Sequence, residues 1–125
     1  MELRKFIKTS IREYLNESEF NITKNSKIIS AIDGIKVRII DSEIVSKIYP
    51  VWKNYLGSHH YGKKSSHIPK NEIWISNKVS EKDLDKIIQH EIIERSIMRA
   101  LQKYKDMNTE DSWDIAHNFV KNIGF

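Results

Sequence analysis

No cysteine occurs among the 125 residues. Disulfides and thiolate metal sites are therefore excluded, and any metal must sit on histidine and carboxylate ligands. No apolar run approaches the length of a membrane span. The N-terminus has neither a long apolar stretch nor a small-residue cleavage pattern, so no signal peptide is expected and a cytoplasmic location is. A strong excess of one charge is missing as well. Lys and Arg number 21 against 17 Asp and Glu, a net charge of +4 with a pI near 9.2. The acidic residues are interspersed among the basic ones, which describes a solvated mixed surface better than a nucleic-acid footprint. There is no internal repeat and no low-complexity tract.

What is present suits one domain with a short extension. Hydrophobic residues make up 39% and charged residues 30%, ordinary for a globular chain whose core needs no staple. Residues 1–24 read as an amphipathic helix and linker. Leu3, Phe6, Ile7, Ile11, Tyr14 and Leu15 recur at helical spacing, with Lys5, Lys8 and Arg12 on the other side. Residues 25–125 read as an α+β domain. Lys27–Ile32 and Ile35–Ile40 flank Asp33-Gly34, the strongest short signal for a β-hairpin. A short helix is expected within 42–56, interrupted by Pro50, and 57–71 reads as a polar loop. Glu72–Ser76 alternates polar and apolar residues as a strand does. Ser80 caps a long helix reaching about Tyr104. Asn108 or Thr109 caps a last helix over 110–123, which stops at Gly124. This order predicts a small antiparallel sheet with a hairpin, packed against helices.

The long helix carries chemistry on the wrong side. At 100° per residue, Leu84, Ile87, Ile97, Met98 and Leu101 define an apolar arc. His90 and Glu94, four residues apart, fall inside it one above the other, and Glu91 falls inside it too. Unpaired burial of a carboxylate costs several kcal/mol or shifts its pKa until it is neutral. Two carboxylates and an imidazole in one patch therefore need a partner. A divalent cation is the simplest, since it neutralises the acids and uses the imidazole lone pair. The alternative is that Arg38, Arg95 or Lys121 pairs with the acids while His90 bonds to backbone. In the next helix His117 lies beside Trp113 and Val120 at the edge of the apolar stripe, where folding back would bring it to His90 and Glu94. Asp114, one turn earlier, is placed to accept the second ring N–H of His117. The loop ahead of the strand adds His59, His60 and His67.

These residues resemble a group of small phage and prokaryotic proteins read as zincin-like metallopeptidases. The resemblance runs through Gly57-Ser58-His59, then Ile68-Pro69-Lys70-Asn71-Glu72-Ile73-Trp74-Ile75, then His90-Glu91-Ile92-Ile93-Glu94-Arg95, and finally Ala116-His117. It covers about residues 57–123 and implies a strand–helix–helix half of zincin type. Zincins carry His-Glu-x-x-His, whose histidines bind zinc from one helical face while the Glu is general base on zinc-bound water. Here the fifth position is Glu94. A carboxylate is a permitted zinc ligand, though an added negative ligand makes the metal a weaker Lewis acid.

The resemblance implies Zn²⁺ held by His90, Glu94 and His117, with His59 as a further ligand and Glu91 as general base. Trp74 would wall the cleft, and Glu72 with the rest of strand 72–76 would pair with an extended substrate. The expected function is a zincin-like, metal-dependent peptidase acting on a peptide or protein partner. A protein-binding or regulatory protein of phage type on a degenerate scaffold, without catalysis, is the alternative. A nucleic-acid binder or nuclease has no recognition motif in support.

Overall fold

A computed structural model describes residues 26–125. The amphipathic segment over 3–17 and its linker lie outside the described residues. The hairpin is formed by β1 (Lys27–Ile32) and β2 (Ile35–Ile40), paired antiparallel with a bulge between Ile28 and Ser30. Its turn takes Asp33 at φ 51° and Gly34 at φ 80°. Both turn residues have positive φ, which is what an Asp-Gly pair supplies most readily.

After the hairpin, Asp41 caps a one-turn helix, α1 (Ser42–Ser46), by accepting from the Glu43 and Ile44 amides. Pro50 does not interrupt a helix. It opens a separate 3₁₀ turn, Pro50–Lys53, where its missing N–H is not needed. β3 (Gly57–His59) follows, inside the stretch that composition marks as loop. β4 (Glu72–Ser76), α2 (Glu81–Tyr104) and α3 (Thr109–Asn122) complete the chain. Asn108 caps α3 through a 2.7 Å bond from the Asp111 amide. Ser80 precedes α2 but gives its hydroxyl to Asp83 Oδ2 at 3.0 Å rather than to a backbone amide.

The α+β class holds, but the sheet is mixed, not antiparallel. Its order is β1-β2-β4-β3, with β2 and β4 parallel and β3 antiparallel to β4. Between β2 and β4 the chain crosses over through α1, the 3₁₀ turn and β3, and a crossover of that length permits parallel pairing. β4 is therefore an interior strand, hydrogen-bonded on both sides.

Because successive strand side chains alternate, the sheet has two apolar faces. Val37, Ile73 and Ile75 pack with Ile88 of α2 on one. Ile40, Val45, Trp52, Ile68 and Trp74 form the core on the other. Complete burial of an Ile or Val side chain contributes roughly 1.5–3 kcal/mol, so both faces are needed. The register sets Gly57 opposite Ile75 and His59 opposite Ile73. Cross-strand partners share a face, so Gly57 and His59 point toward α2. Among the described residues no helix is long and apolar enough to cross a membrane.

Candidate metal centre

The buried line of α2 is Ile88, Glu91, Glu94 and Met98. Steps of three and four residues keep one face of a helix, so two acids occupy the stripe that packs on the sheet and on α3. Glu91 and Glu94 are 7% and 5% exposed. The three cations that might have compensated them are elsewhere. Arg38 pairs with Glu72 at 2.7 Å, Arg95 donates to the Lys70 carbonyl, and Lys121 is exposed.

Histidines surround Glu94 instead. Its Oε2 stands 2.9 Å from His90 Nε2 and 3.4 Å from His117 Nδ1. Its Oε1 stands 3.2 Å from His59 Nε2. The rings of His90 and His117 meet edge to face, their centroids 5.4 Å apart. α3 brings His117 there by packing its buried line, Ser112, Ala116 and Val120, on α2. Trp113 fixes the His117 ring by stacking on it at 4.2 Å and 13°. Asp114 is exposed and has no part in that arrangement.

The acceptor at His90 Nδ1 constrains how this cluster can be satisfied. Its Nδ1 lies 2.8 Å from the Phe125 main-chain oxygen, an acceptor, so Nδ1 carries the N–H. Nε2 then faces a carboxylate oxygen at 2.9 Å with a lone pair, unless a second proton is added. Two lone pairs at that distance require a proton or a cation between them. A metal-bound histidine characteristically gives its other N–H to a carbonyl, as His90 does. Two donors about 2.1 Å from one tetrahedral ion stand about 3.4 Å apart, close to the spacings around Glu94 Oε2. The ligand atoms of His90, Glu94 and His117 all lie within 4.8 Å of one another, as do those of His59, Glu91 and Glu94.

The two sets share Glu94 but differ in access. A cavity of about 530 Å³ reaches His90, Glu91, Glu94 and His117. His59 is fully buried behind them. Burial holds its pKa below the usual histidine value, despite the bond to Glu94, so the ring is neutral and Nε2–H donates to Glu94 Oε1. His59 remains a candidate ligand together with Glu91 and Glu94, and from the buried side it also orients the Glu94 carboxylate. Burial pushes Glu94 up, but the His59 hydrogen bond, the pull of His59 and His90, and the His117 bond together bring it below the usual range. Glu91 goes the other way, raised well above it by burial first and by the Glu94 charge second. Its Oε2 and His59 Nδ1 are buried with no hydrogen-bond partner. Buried polar atoms of native proteins are rarely orphaned, so two at one centre fit a site that takes a ligand.

No family model, curated protein or solved structure matches this chain.

The geometry removes two expected substrate contacts. Trp74 is buried in the core of the opposite sheet face, beside Trp52 and Ile68. Glu72, one pleat away on the same side, accepts from Arg38 and from Trp74 Nε1 at 3.2 Å. Neither lines the cavity, because strand alternation turns them away from α2. An extended substrate cannot pair with β4 either, since β2 and β3 occupy both its edges.

The other loop histidines have structural partners. His60 Nδ1 bonds the Ile68 carbonyl at 2.7 Å. His67 stacks on Tyr49 at 3.8 Å and accepts from Trp52 Nε1 at 3.0 Å.

Sequence reasoning quoted Gly57 only within the Gly57-Ser58-His59 pattern, without its role, and missed Tyr55. A Cβ on Gly57 would stand 3.0 Å from Ile75 Cδ1, 3.1 Å from Glu91 Cγ and 3.3 Å from Glu91 Oε1. Glycine there makes room for the acid. Tyr55 lines the cavity and gives its hydroxyl to the Lys63 carbonyl at 2.9 Å. Its pKa is raised by burial first, then by Glu91 and Glu94. A strand assignment for 57–59 would have placed Gly57 opposite the helix, but three residues are too few to show a period.

Proposed function

We propose that the protein is a metal-dependent hydrolase of zincin-like type that cleaves peptides. His90, Glu94 and His117 would hold the cation, and two imidazole nitrogens with one carboxylate oxygen are a donor set suited to zinc. The observation that carries this reading is Glu94 Oε2, 2.9 Å from His90 Nε2 and 3.4 Å from His117 Nδ1 at the cavity wall. When bound, zinc supplies a Lewis acid beside the scissile carbonyl.

The chain's own residues do the rest. His59 holds the Glu94 carboxylate in place from Oε1. Trp113 and the Phe125 main-chain oxygen keep the His117 and His90 rings from turning. Glu91 sits next to His90 but is offset by about 100° around the helix, so it serves as the base. It takes the proton from the attacking water and returns it to the leaving nitrogen.

A second reading is a metal-binding protein without turnover. Glu94 in place of a second helix histidine favours it, as does the burial that raises the Glu91 pKa and disfavours its carboxylate form. One experiment separates the two. Tag-free protein is assayed for zinc by elemental analysis, then for cleavage of a mixed peptide library, beside Glu91→Gln. Bound zinc with cleavage that disappears in the variant supports the hydrolase. Bound zinc without cleavage leaves the binding protein, and protein that takes up no zinc overturns both.

A further inference from the structure

The cavity over the histidines has an apolar wall and two cations at its rim. Leu56, Ile87, Trp113 and Phe125 line it. Leu56 is 52% exposed and Phe125 37%, which is apolar surface that an occupant would cover. The cations are Lys63 and Lys86.

Their placement is related to the metal candidates. Lys86 precedes His90 by one turn of α2. Lys63 lies over Trp113, with Nζ 4.3 Å from the ring centroid, and Trp113 in turn stacks on His117. Lys63 thus stands on the His117 side of the cavity and Lys86 on the His90 side. Lys63 is also fixed through its main chain, whose carbonyl accepts from Tyr55 Oη at 2.9 Å and from Ser65 Oγ at 2.9 Å. Neither lysine has a carboxylate within 4.0 Å among the described residues. A lysine held on an indole face keeps its charge while losing part of its hydration, which favours an anion.

We infer that the ligand of this cavity carries a carboxylate next to an apolar side chain, and that Lys63 and Lys86 select it. This rests on the metal-dependent hydrolase reading and names its substrate class: peptides with an apolar residue beside a negative group. The apolar side chain lies against Trp113 and Ile87. The negative group stays at the rim, away from Glu94, whose charge would repel it at the floor. A peptide offers such a group as its free C-terminus or as an acidic side chain.

The test uses succinyl hydroxamates, whose hydroxamate takes zinc in every case. Three are compared on the zinc-loaded protein by calorimetry: coupled to phenylalanine, to phenylalaninamide, and to glutamic acid α-amide. The phenylalanine acid is expected to bind about tenfold tighter than its amide, the effect of one favourable ion pair. Lys63→Met and Lys86→Met should each shrink that ratio, and together abolish it, with zinc affinity unchanged. Glutamic acid α-amide binding above phenylalaninamide assigns the negative group to a side chain; binding at or below it assigns the C-terminus. Equal binding of acid and amide by zinc-loaded wild type, or a preference that survives both substitutions, overturns the selectivity while the metal reading stands. Wild type that takes up no zinc overturns the metal reading and this inference with it.

Discussion

His59 Nε2 stands 3.2 Å from Glu94 Oε1, so a strand residue grips from behind the carboxylate whose other oxygen faces two histidines. His59→Phe removes that donor and leaves a buried carboxylate oxygen without a partner. Stability should fall by about 1–3 kcal/mol in urea titrations. Zinc affinity should fall roughly 10–100-fold by calorimetry. Unchanged affinity would mean that Glu94 needs no such support.

If the protein is a metal-dependent hydrolase, Glu91 is the residue expected to separate binding from turnover. Burial and the Glu94 charge raise the pKa of its carboxyl, and Glu91→Gln keeps its shape while removing the proton acceptor. Metal-free stability should stay within about 0.5 kcal/mol of wild type, zinc affinity should be retained, and hydrolysis should vanish. Residual turnover in Glu91→Gln would assign the base elsewhere.

Gly57→Ala reaches the same acid from the strand. The new Cβ would crowd Ile75 and Glu91 at 3.0–3.1 Å, which costs about 1–3 kcal/mol for overpacking. Glu91 is one of the two side chains that must give way. Turnover should drop well before the fold does, which thermal melts and peptide assays run together will read. Wild-type turnover in this variant would show that the position of Glu91 is not critical.

His90→Ala and Glu94→Ala should both lose zinc, but their metal-free stabilities should differ. Glu94→Ala strips the partner from His59, a fully buried ring, and should destabilise by about 1–3 kcal/mol. His90 is one-fifth exposed, so its loss should matter less. Equal melting temperatures for the two metal-free variants would contradict the central place of Glu94.

His67 supplies a pH dependence remote from the metal candidates. Burial lowers its pKa from 6.5 to about 4. The folded state therefore holds the neutral ring, while the unfolded chain takes up a proton near pH 6.5. The stability contribution is complete above pH 6.5 and is lost as pH falls from there to about 4. His67→Gln retains an acceptor for Trp52 Nε1 but cannot titrate. Its melting temperature should fall less steeply across that window than wild type's, and parallel curves would show that His67 does not titrate this way.

Much of the local structure was legible from the chain. Asp33-Gly34 demands positive φ at both turn positions, so the hairpin followed from the two residues. Asn108 and Gly124 mark helix ends by their own hydrogen-bonding and steric preferences, and Ser80 marks one by position, its hydroxyl going to Asp83. The spacing of His90, Glu91 and Glu94 within an apolar arc marked a buried polar cluster, because a helix period is a local property. The three strand residues 57–59 were not legible, since so short a run shows no alternation and its pairing with β4 is set by contacts far along the chain.

The sequence by itself thus determined the secondary structure around the cluster and the fact that its acids would need partners. Only the tertiary structure decided which partners they have. Strand order made the sheet mixed and closed both edges of β4. Pleat direction turned Trp74 and Glu72 away from α2 and turned Gly57 and His59 toward it. The fold-back of α3 set His117 against Glu94. Periodicity specifies which side of an element a residue occupies, but what that side meets depends on long-range register and helix packing, which arise only when the whole core is assembled.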